Sequence, residues 1–321
     1  MRRLAYLKIT DSGLRQGREP DTVEIYRFIG EEKAVHSVCI LCRVLRVSRS
    51  GFYAWSKRGP SQRQVEDEAL LREIVEIHKA SHETYGVPRV HAALRRERGV
   101  FCSRKRVWRL MREAGVHGIS RRRPQGTTRR NPADPLAPDL VQRQFTADAP
   151  NLLWVADITQ HPTGEGWLYA AAVVDVFSRK VVGWSMSEHL HMELVLGALN
   201  MAIRGRQPLH GRTIHHSDHG AQYTATAYGQ RLKATGLVGS MGSVGDCYDN
   251  ALMESFWATL QTELLDRQTW PTRDALRSAI FEFIEGFYNP RRAHSSLGFL
   301  SPNDFESRWA QMAKRDQTQA S

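Results

Sequence analysis

The chain has 321 residues, 41% of them hydrophobic and 25% charged, the profile of a soluble globular protein large enough for two or three cores. No apolar run approaches the roughly 20 residues needed to cross a bilayer. The start, MRRLAYLKITDSG, is basic but lacks an apolar h-region, so no membrane span and no signal peptide are expected, and a cytoplasmic location is. The net charge of +11 is unevenly placed: residues 1–146 hold 30 Lys and Arg against 16 Asp and Glu, whereas residues 147–321 hold 15 against 18. An excess segregated in this way attracts polyanions such as nucleic acid, while the carboxylates gather in the second half.

Cys39, Cys42, Cys102 and Cys247 are too few and too scattered for the disulfide framework of a small secreted domain. Cys39 and Cys42 form a CxxC within VCILCRVL with only His36 nearby as a further ligand. Buried helix thiols are therefore expected there in preference to a zinc site.

Residues 35–55, VHSVCILCRVLRVSRSGFYAW, carry apolar residues at helical spacing up to Val47, and Ser48 is placed to cap a second short helix. GPSQRQVE at 59–66 reads as a linker, followed by a long helix through LLREIVEIHKA. Next, PRVHAALRRERG reads as a helix ended by Gly99, and Ser103 caps SRKRVWRLMREAG, which ends at Gly115. This is helix-turn-helix spacing. With Val107, Leu110 and Met111 as the buried stripe, Arg104, Lys105, Arg106, Arg109 and Arg112 are free to meet a groove or phosphates; the plain alternative is a solvated basic helix. Arg121, Arg122, Arg123, Arg129 and Arg130 continue the charge into a Pro- and Gly-containing arm, which favours DNA.

From Asn151 the pattern turns to strands: LLWVADITQ, WLYAAAVVDV and KVVGWSMS, an expected antiparallel meander. A helix at about 191–204, the strand TIHHS, a helix near 224–235, the strand VGSM and a helix from about 249 to 265 follow. The result is a mixed five-stranded α/β sheet flanked by helices and preceded by small all-α modules. Residues 271–288 read as one more helix, YNPRRAHSSLGFLSPNDF as the close of the ordered chain, and AKRDQTQAS as a loose polar tail.

Asp157 lies in the first strand within WVADIT, with no Lys or Arg beside it in sequence. An acid in an apolar strand is costly to bury unless it is paired or bound to metal. Asp218 follows the fourth strand in HHSDHGAQY, where Gly220 permits a close backbone approach, and Glu254 lies in a helix, in DNALMESFWATL, with Phe256 and Leu260 able to anchor that helix to the sheet. Each signal alone is weak. Three acids on three elements could converge, and oxygen-only ligands suit Mg²⁺ or Mn²⁺, two of which can serve in-line displacement at phosphorus.

The order and spacing of these acids, with 35 residues between Asp218 and Glu254, resemble the Asp, Asp, thirty-five-residue gap, Glu signature of the retroviral-integrase superfamily. The segments WVADIT, VVDVFSRKVVGW, HHSDHGAQY, GDCYDNALMESFWATLQTEL and FYNPRRAHSSLGFLSP look more closely like bacterial insertion-sequence transposases of the IS-three type, as the product of their second reading frame. VLRVSRSGFYAW and YGVPRVHAALRRERG in the first half resemble the same family. The resemblance implies a ribonuclease-H-like core in which Asp157, Asp218 and Glu254 bind two catalytic Mg²⁺ or Mn²⁺ ions. It further implies cleavage at element ends to free a 3′ hydroxyl and strand transfer of that hydroxyl to DNA, by a homo-oligomer on element ends and target, with a possible upstream-frame partner product, in the bacterial cytoplasm at the nucleoid. Domain boundaries on this reading are an N-terminal helical segment at 1–58, a second helix-turn-helix-like module at 66–118, a basic linker at 119–148, the integrase core at 149–265 and a C-terminal helix and tail at 266–321. One position departs from the family: where a basic residue usually stands seven places after the helix Glu and can touch terminal DNA, this chain has Gln261. An amide keeps hydrogen bonding and loses the phosphate attraction.

Other polar residues have plainer readings. Asp175 is expected to form a turn rather than hold metal, and Asp249 to cap the Glu254 helix. His215, His216 and His219 could contact DNA, orient a water or be structural. Arg291, Arg292 and His294 could meet phosphates or pair with Glu282 and Glu285. Two alternative functions keep part of this reading: a ribonuclease-H-like hydrolytic nuclease on the same fold, and a catalytically silent, transposase-derived DNA-binding regulator that uses only the first half.

Overall fold

The computed structural model describes residues 21–119, 141, 146–218, 220–241 and 251–319. The chain divides into two compact units, residues 1–72 and 73–321. In the first unit, helices α1 (Thr22–Glu32), α2 (Val38–Leu45) and α3 (Arg49–Lys57) surround a small core of Ile29, Leu41, Cys42, Leu45 and Phe52. Asp21 caps α1 by accepting from the Val23 and Glu24 amides, and Glu24 reaches back to the Asp21 amide, a reciprocal capping box written in the sequence as DTVE. The sequence reading had no helix there. The joint between α2 and α3 is as read: Arg46 takes a left-handed turn, φ 58°, and the Ser48 hydroxyl accepts from the Gly51 amide at 3.2 Å. Cys42 is buried but Cys39 is exposed, so the expectation of two buried thiols holds for one of them. Cys39 is the second residue of α2, in the first turn, where it stays exposed. Among the described residues no cluster of three His, Cys, Asp or Glu could hold a metal ion, and no helix is long and apolar enough to cross a membrane.

Helix α4 (Gln62–Ala80) starts only three residues after Gly59, so the expected linker is shorter than read. Helices α5 (Val87–Glu97) and α6 (Arg104–Glu113) pack through Val90, Ala93 and Leu94 against Val107, Leu110 and Met111. Both helices are followed by glycines at positive φ, Gly99 at 65° and Gly115 at 66°, and the Ser103 hydroxyl caps α6 by accepting from the Arg106 amide. Glycine takes this left-handed stop without the Cβ penalty.

Strands β1 (Leu153–Thr163), β2 (Gly166–Asp175) and β3 (Val181–Ser187) form the antiparallel meander; β4 (Ile214–Ser217) and β5 (Val238–Met241) add in parallel to give the order β3-β2-β1-β4-β5. The observed α/β class, a mixed five-stranded sheet with helices on it, is the expected one. Helix α7 (Met192–Arg206) lies on β2 and β3, burying Leu194, Val195, Ala198, Leu199 and Ala202 against Trp154, Ala171, Val173 and Val182. A short turn, α8 (Ala221–Thr224), precedes the helix expected near 224–235, which is α9 (Thr226–Ala234); Ala225 between them is extended at φ −60°, ψ 136°. Helix α10 (Ala251–Glu263) buries Phe256 and Leu260 as expected, and Met253 with them.

The C-terminal part departs furthest from the sequence reading. Helix α11 (Arg273–Phe281) widens into a π-helical turn at Glu282–Tyr288, with the Asn289 amide bonded to the Ile284 carbonyl five residues back. The Asn289 side chain then holds the start of edge strand β3, accepting from the Val181 amide and donating to the Val181 carbonyl, both at 2.9 Å. The segment read as a loose tail is helical: α12 runs Pro302–Gln319. Pro302 supplies a favoured first-turn residue, Phe305 and Trp309 pack on Phe177 at ring distances of 5.0 and 5.7 Å, and Glu306 pairs with Arg206 at 2.7 Å. Once one end is anchored, good helix formers propagate the turn without a new nucleus.

Gly183 is the tightest point between α7 and the sheet: a Cβ there would stand 2.1 Å from the Ala198 carbonyl oxygen and 2.7 Å from the Ala202 amide. Backbone atoms cannot give way as side-chain ends do. Gly183→Ala is therefore expected to destabilise the second unit by about 1–3 kcal/mol, read as a lowered urea midpoint, whereas Gly205→Ala, with open space around it, should leave the midpoint in place.

Candidate active site

Strand register brings the first two acids together. Ala156 of β1 pairs with Ser217 of β4 in the parallel ladder, so Asp157 and Asp218 are each the next residue along from one paired position. Asp218 is exposed where the chain leaves the sheet, and its carboxylate accepts from the Gly220 amide at 3.0 Å. A Cβ at Gly220 would come within 3.1 Å of that carboxylate oxygen, so the glycine serves the close approach expected of it. The third acid arrives on α10. Trp257 donates its indole N–H to the Asp157 carboxylate at 3.0 Å, and Glu254, exposed, lies three residues before it, on the adjoining turn of the same helix face. Trp257 was not singled out in the sequence, although a half-buried Trp N–H usually finds an acceptor.

The electrostatics single out Asp157. Burial pushes its carboxyl up to about 7, and repulsion from Asp218 and, less strongly, Glu254 acts in the same direction. The Ile158 amide, at 2.8 Å, and the Trp257 indole oppose the shift by bonding the charged form. A cleft of about 350 Å³ opens beside the pair, lined by Asp157, Gln160, Tyr169, Asp218, Gln222 and Tyr223 among others. Burial raises the Tyr223 phenol well above its ordinary value, with Tyr228 and then the two aspartates contributing, so it stays a neutral hydroxyl next to the acids. The structure thus sets Asp157 and Asp218 side by side at one end of the β1/β4 pair, with Glu254 near enough to repel Asp157, while among the described residues no three such side chains stand close enough together to hold a metal ion. A second cavity, of about 400 Å³, lies away from them and is lined by Tyr85, Arg96, Phe287, Arg291 and Phe299.

The remaining candidates separate. Asp175 is a turn residue as read: fully buried, it accepts from the Asn151 and Phe177 amides and meets Arg206 at 3.3 Å. His215 and His216 are buried inside the sheet, where His215 meets the Tyr228 hydroxyl at 3.1 Å and His216 the Ser240 hydroxyl at 2.9 Å, so neither can reach DNA. Burial holds His215 down at about 4, hence neutral. His219, Asp249, Arg121, Arg122, Arg123, Arg129 and Arg130 lie outside the described residues. Arg292 and His294 are buried, which removes both phosphates and surface pairing; Arg292 forms a two-pronged bond with Glu263 at 2.6 and 2.7 Å. Glu285 instead accepts from the Trp184 indole at 2.8 Å. Gln261 donates to Asp266. On α6, Arg104, Lys105 and Arg112 are exposed, Arg106 is half-buried, Arg109 pairs with Glu113 at 3.1 Å, and Arg112 lies over the Trp108 ring at 5.4 Å.

Family models match three stretches: an integrase core domain at residues 147–247, a second integrase core domain model at 235–302 and an HTH-like domain at 65–124. The transposase InsF for insertion sequence IS3A of Escherichia coli (strain K12) is 38% identical over 286 residues, which are 88% of this chain and 98% of that protein. The chain belongs to the IS3-type insertion-element transposases. A 31 kDa protein of insertion element IS600 from Shigella sonnei is 44% identical over 273 residues, 85% of this transposase and all of that protein. Among solved structures, the HTLV-2 integrase catalytic core domain in complex with magnesium is similar at a TM-score of 0.38 and 18% identity, over 50% of this chain and 98% of that one.

The raised Asp157 carboxyl has a measurable signature in the metal-free transposase. Between the ordinary aspartate value of 3.8 and about 7, the folded chain binds a proton that the unfolded chain has released, so stability is highest below that window and falls as pH rises through it. Asp157→Asn should flatten this slope and unfold at a temperature a few degrees above the parent at pH 8. Melting temperatures of both proteins in chelator from pH 5 to pH 8 check this; parallel curves would contradict it.

Proposed function

We propose that the transposase cuts and joins DNA with Asp157, Asp218 and Glu254 as its metal-binding catalytic acids. The observation that carries this reading is the register of β1 and β4, which sets Asp157 and Asp218 side by side at a cleft, and the repulsion that Glu254 of α10 adds at Asp157 supports it. A carboxylate half-buried next to another carboxylate is uncomfortable unless a cation shares it. The donor set fits hard divalent ions: all oxygen, on three separate elements, beside an open cleft. Mg²⁺ or Mn²⁺ held there would supply electrostatic stabilisation of phosphoryl transfer. The chain's own part is positional. Trp257 and the Ile158 amide fix the Asp157 carboxylate, the Gly220 turn fixes Asp218, and the buried stripe of α10 fixes Glu254. An attacking oxygen, from water in end cleavage and from the freed 3′ hydroxyl in joining, then displaces the 3′ oxygen of the target phosphodiester in line. The exposed basic face of α6, together with the basic arm, holds the element ends, and a homo-oligomer brings two ends together, with an upstream-frame product as a further partner.

With an end-labelled element end and Mg²⁺, the purified protein should nick and join DNA. Asp157→Asn, Asp218→Asn and Glu254→Gln should each lower that rate by about a thousandfold or more while end binding by gel shift persists. Cut products with no joined species would support the hydrolytic nuclease instead, and undiminished rates in the three variants would remove the acids from the site.

Gln261 offers a second test of the DNA surface. Gln261→Lys adds one cation next to Asp266 where the family usually carries one. If Gln261 faces terminal phosphate, the log–log salt dependence of end binding should steepen by about 0.9. An unchanged slope would place position 261 away from DNA.

A further inference from the structure

A three-charge cluster ties the helical module to the helix that carries Glu254. Glu263 continues the buried stripe of α10 from Met253, Phe256 and Leu260 by one turn, and is itself only 7% exposed. A carboxylate at the end of an apolar stripe must be met by cations. Arg292 meets it with both prongs at 2.6 and 2.7 Å, and Arg89 of α5 adds a third bond at 3.3 Å. Around this cluster the Tyr85 hydroxyl accepts from the Ala293 amide at 2.7 Å and lies 3.3 Å from the Arg291 carbonyl. Arg96 donates to the Phe299 carbonyl and pairs with Asp304 at 3.2 Å. The YGVPR segment before the basic helix α6 therefore grips the NPRRAH segment and α10 together.

The two arginines are not equivalent. Arg292, 4% exposed, completes the pair that Glu263 needs, whereas Arg89, 26% exposed, is surplus to it in charge. Burial and then the neighbouring Arg292 press against the charge on Arg89, with Glu263 opposing them. A surplus cation held in such a place contributes little to folding beyond the pair it joins. It does link α5, on which α6 packs, directly to α10.

We propose that Arg89 is a positioning residue: by holding Glu263 it sets the DNA-binding helical module against the acid-bearing helix, so that a bound end meets the acids at one phosphodiester. This rests on the proposed function above. A displacement of the order of 1 Å in such a linkage costs about a hundredfold in rate when reacting groups must align, and the first property lost is the choice of bond.

The test is Arg89→Ala, with Arg89→Lys as the conservative partner, assayed on end-labelled element DNA with Mg²⁺ for melting temperature, end binding, turnover at saturating DNA and position of the cut. Because Glu263 and Arg292 remain paired, Arg89→Ala should melt within a few degrees of the parent and bind ends within about threefold. Turnover should fall about tenfold or more, with cuts spread over neighbouring phosphodiesters, and Arg89→Lys should restore the single position in large part. A single parental cut position at the parental rate overturns the proposal. So does weakened binding with a shallower salt dependence and an unmoved cut, which would make Arg89 a phosphate contact. If Arg89→Ala does not fold, Arg89→Gln is read by the same two outcomes. A parent protein that neither nicks nor joins would instead count against the proposed function.

Discussion

The chemistry proposed for this molecule turns on a carboxylate placed in the middle strand of a sheet. Asp157 has no charged partner of opposite sign in the interactions that shape it: burial and two further acids raise its proton affinity, and two N–H donors resist them. The surrounding design can be followed from that tension. The parallel β1/β4 pair sets Asp218 beside it, Tyr223 presents a neutral hydroxyl, and Trp257 joins the strand to the helix that bears Glu254. A sheet of apolar alternation would have been more stable with Val at position 157; the acid is retained at a cost to the metal-free fold, the pattern expected where stability is exchanged for a reactive site.

Much of the fold was legible because the signals were local. Ser48 and Ser103 cap the helices they precede, Gly99 and Gly115 stop them, and five strands stand where the β-branched runs are. The acids were singled out for a different reason: their spacing matched a family pattern, since nothing in WVADIT by itself says which way Asp157 faces. What escaped was set by long-range contacts. Arg291, Arg292 and His294 look like a surface cluster in sequence, and only the fold shows that Glu263, 29 residues earlier, claims Arg292 in the interior. Trp257 reads as one more apolar residue of α10 until β1 supplies its acceptor. The C-terminal helix was missed because its anchor, Glu306 and Trp309 on Arg206 and Phe177, lies about a hundred residues away in the chain.

The family pattern and this chain part company at Gln261. Its amide is turned to Asp266, a neighbour in its own segment. On the function proposed above, the positive potential needed near an incoming phosphate would then come from elsewhere, and Arg104, Lys105 and Arg112 of α6 are among the exposed cations. The division of charge along the chain, basic in the first half and mildly acidic in the second, accords with the proposed function, in which one part would collect the polyanion and the other supply the carboxylates of the reacting centre.

The grip of Asn289 on Val181 reaches beyond the fold of one chain. β3 is an outer strand, and outer strands invite a second molecule to continue the ladder. Here the first residue of that strand has its amide and carbonyl already engaged by a side chain, and Trp184 further along is tethered to Glu285. In the assembly on DNA proposed above, continuation of the ladder at Val181 would thereby be blocked, so copies would have to meet on other faces.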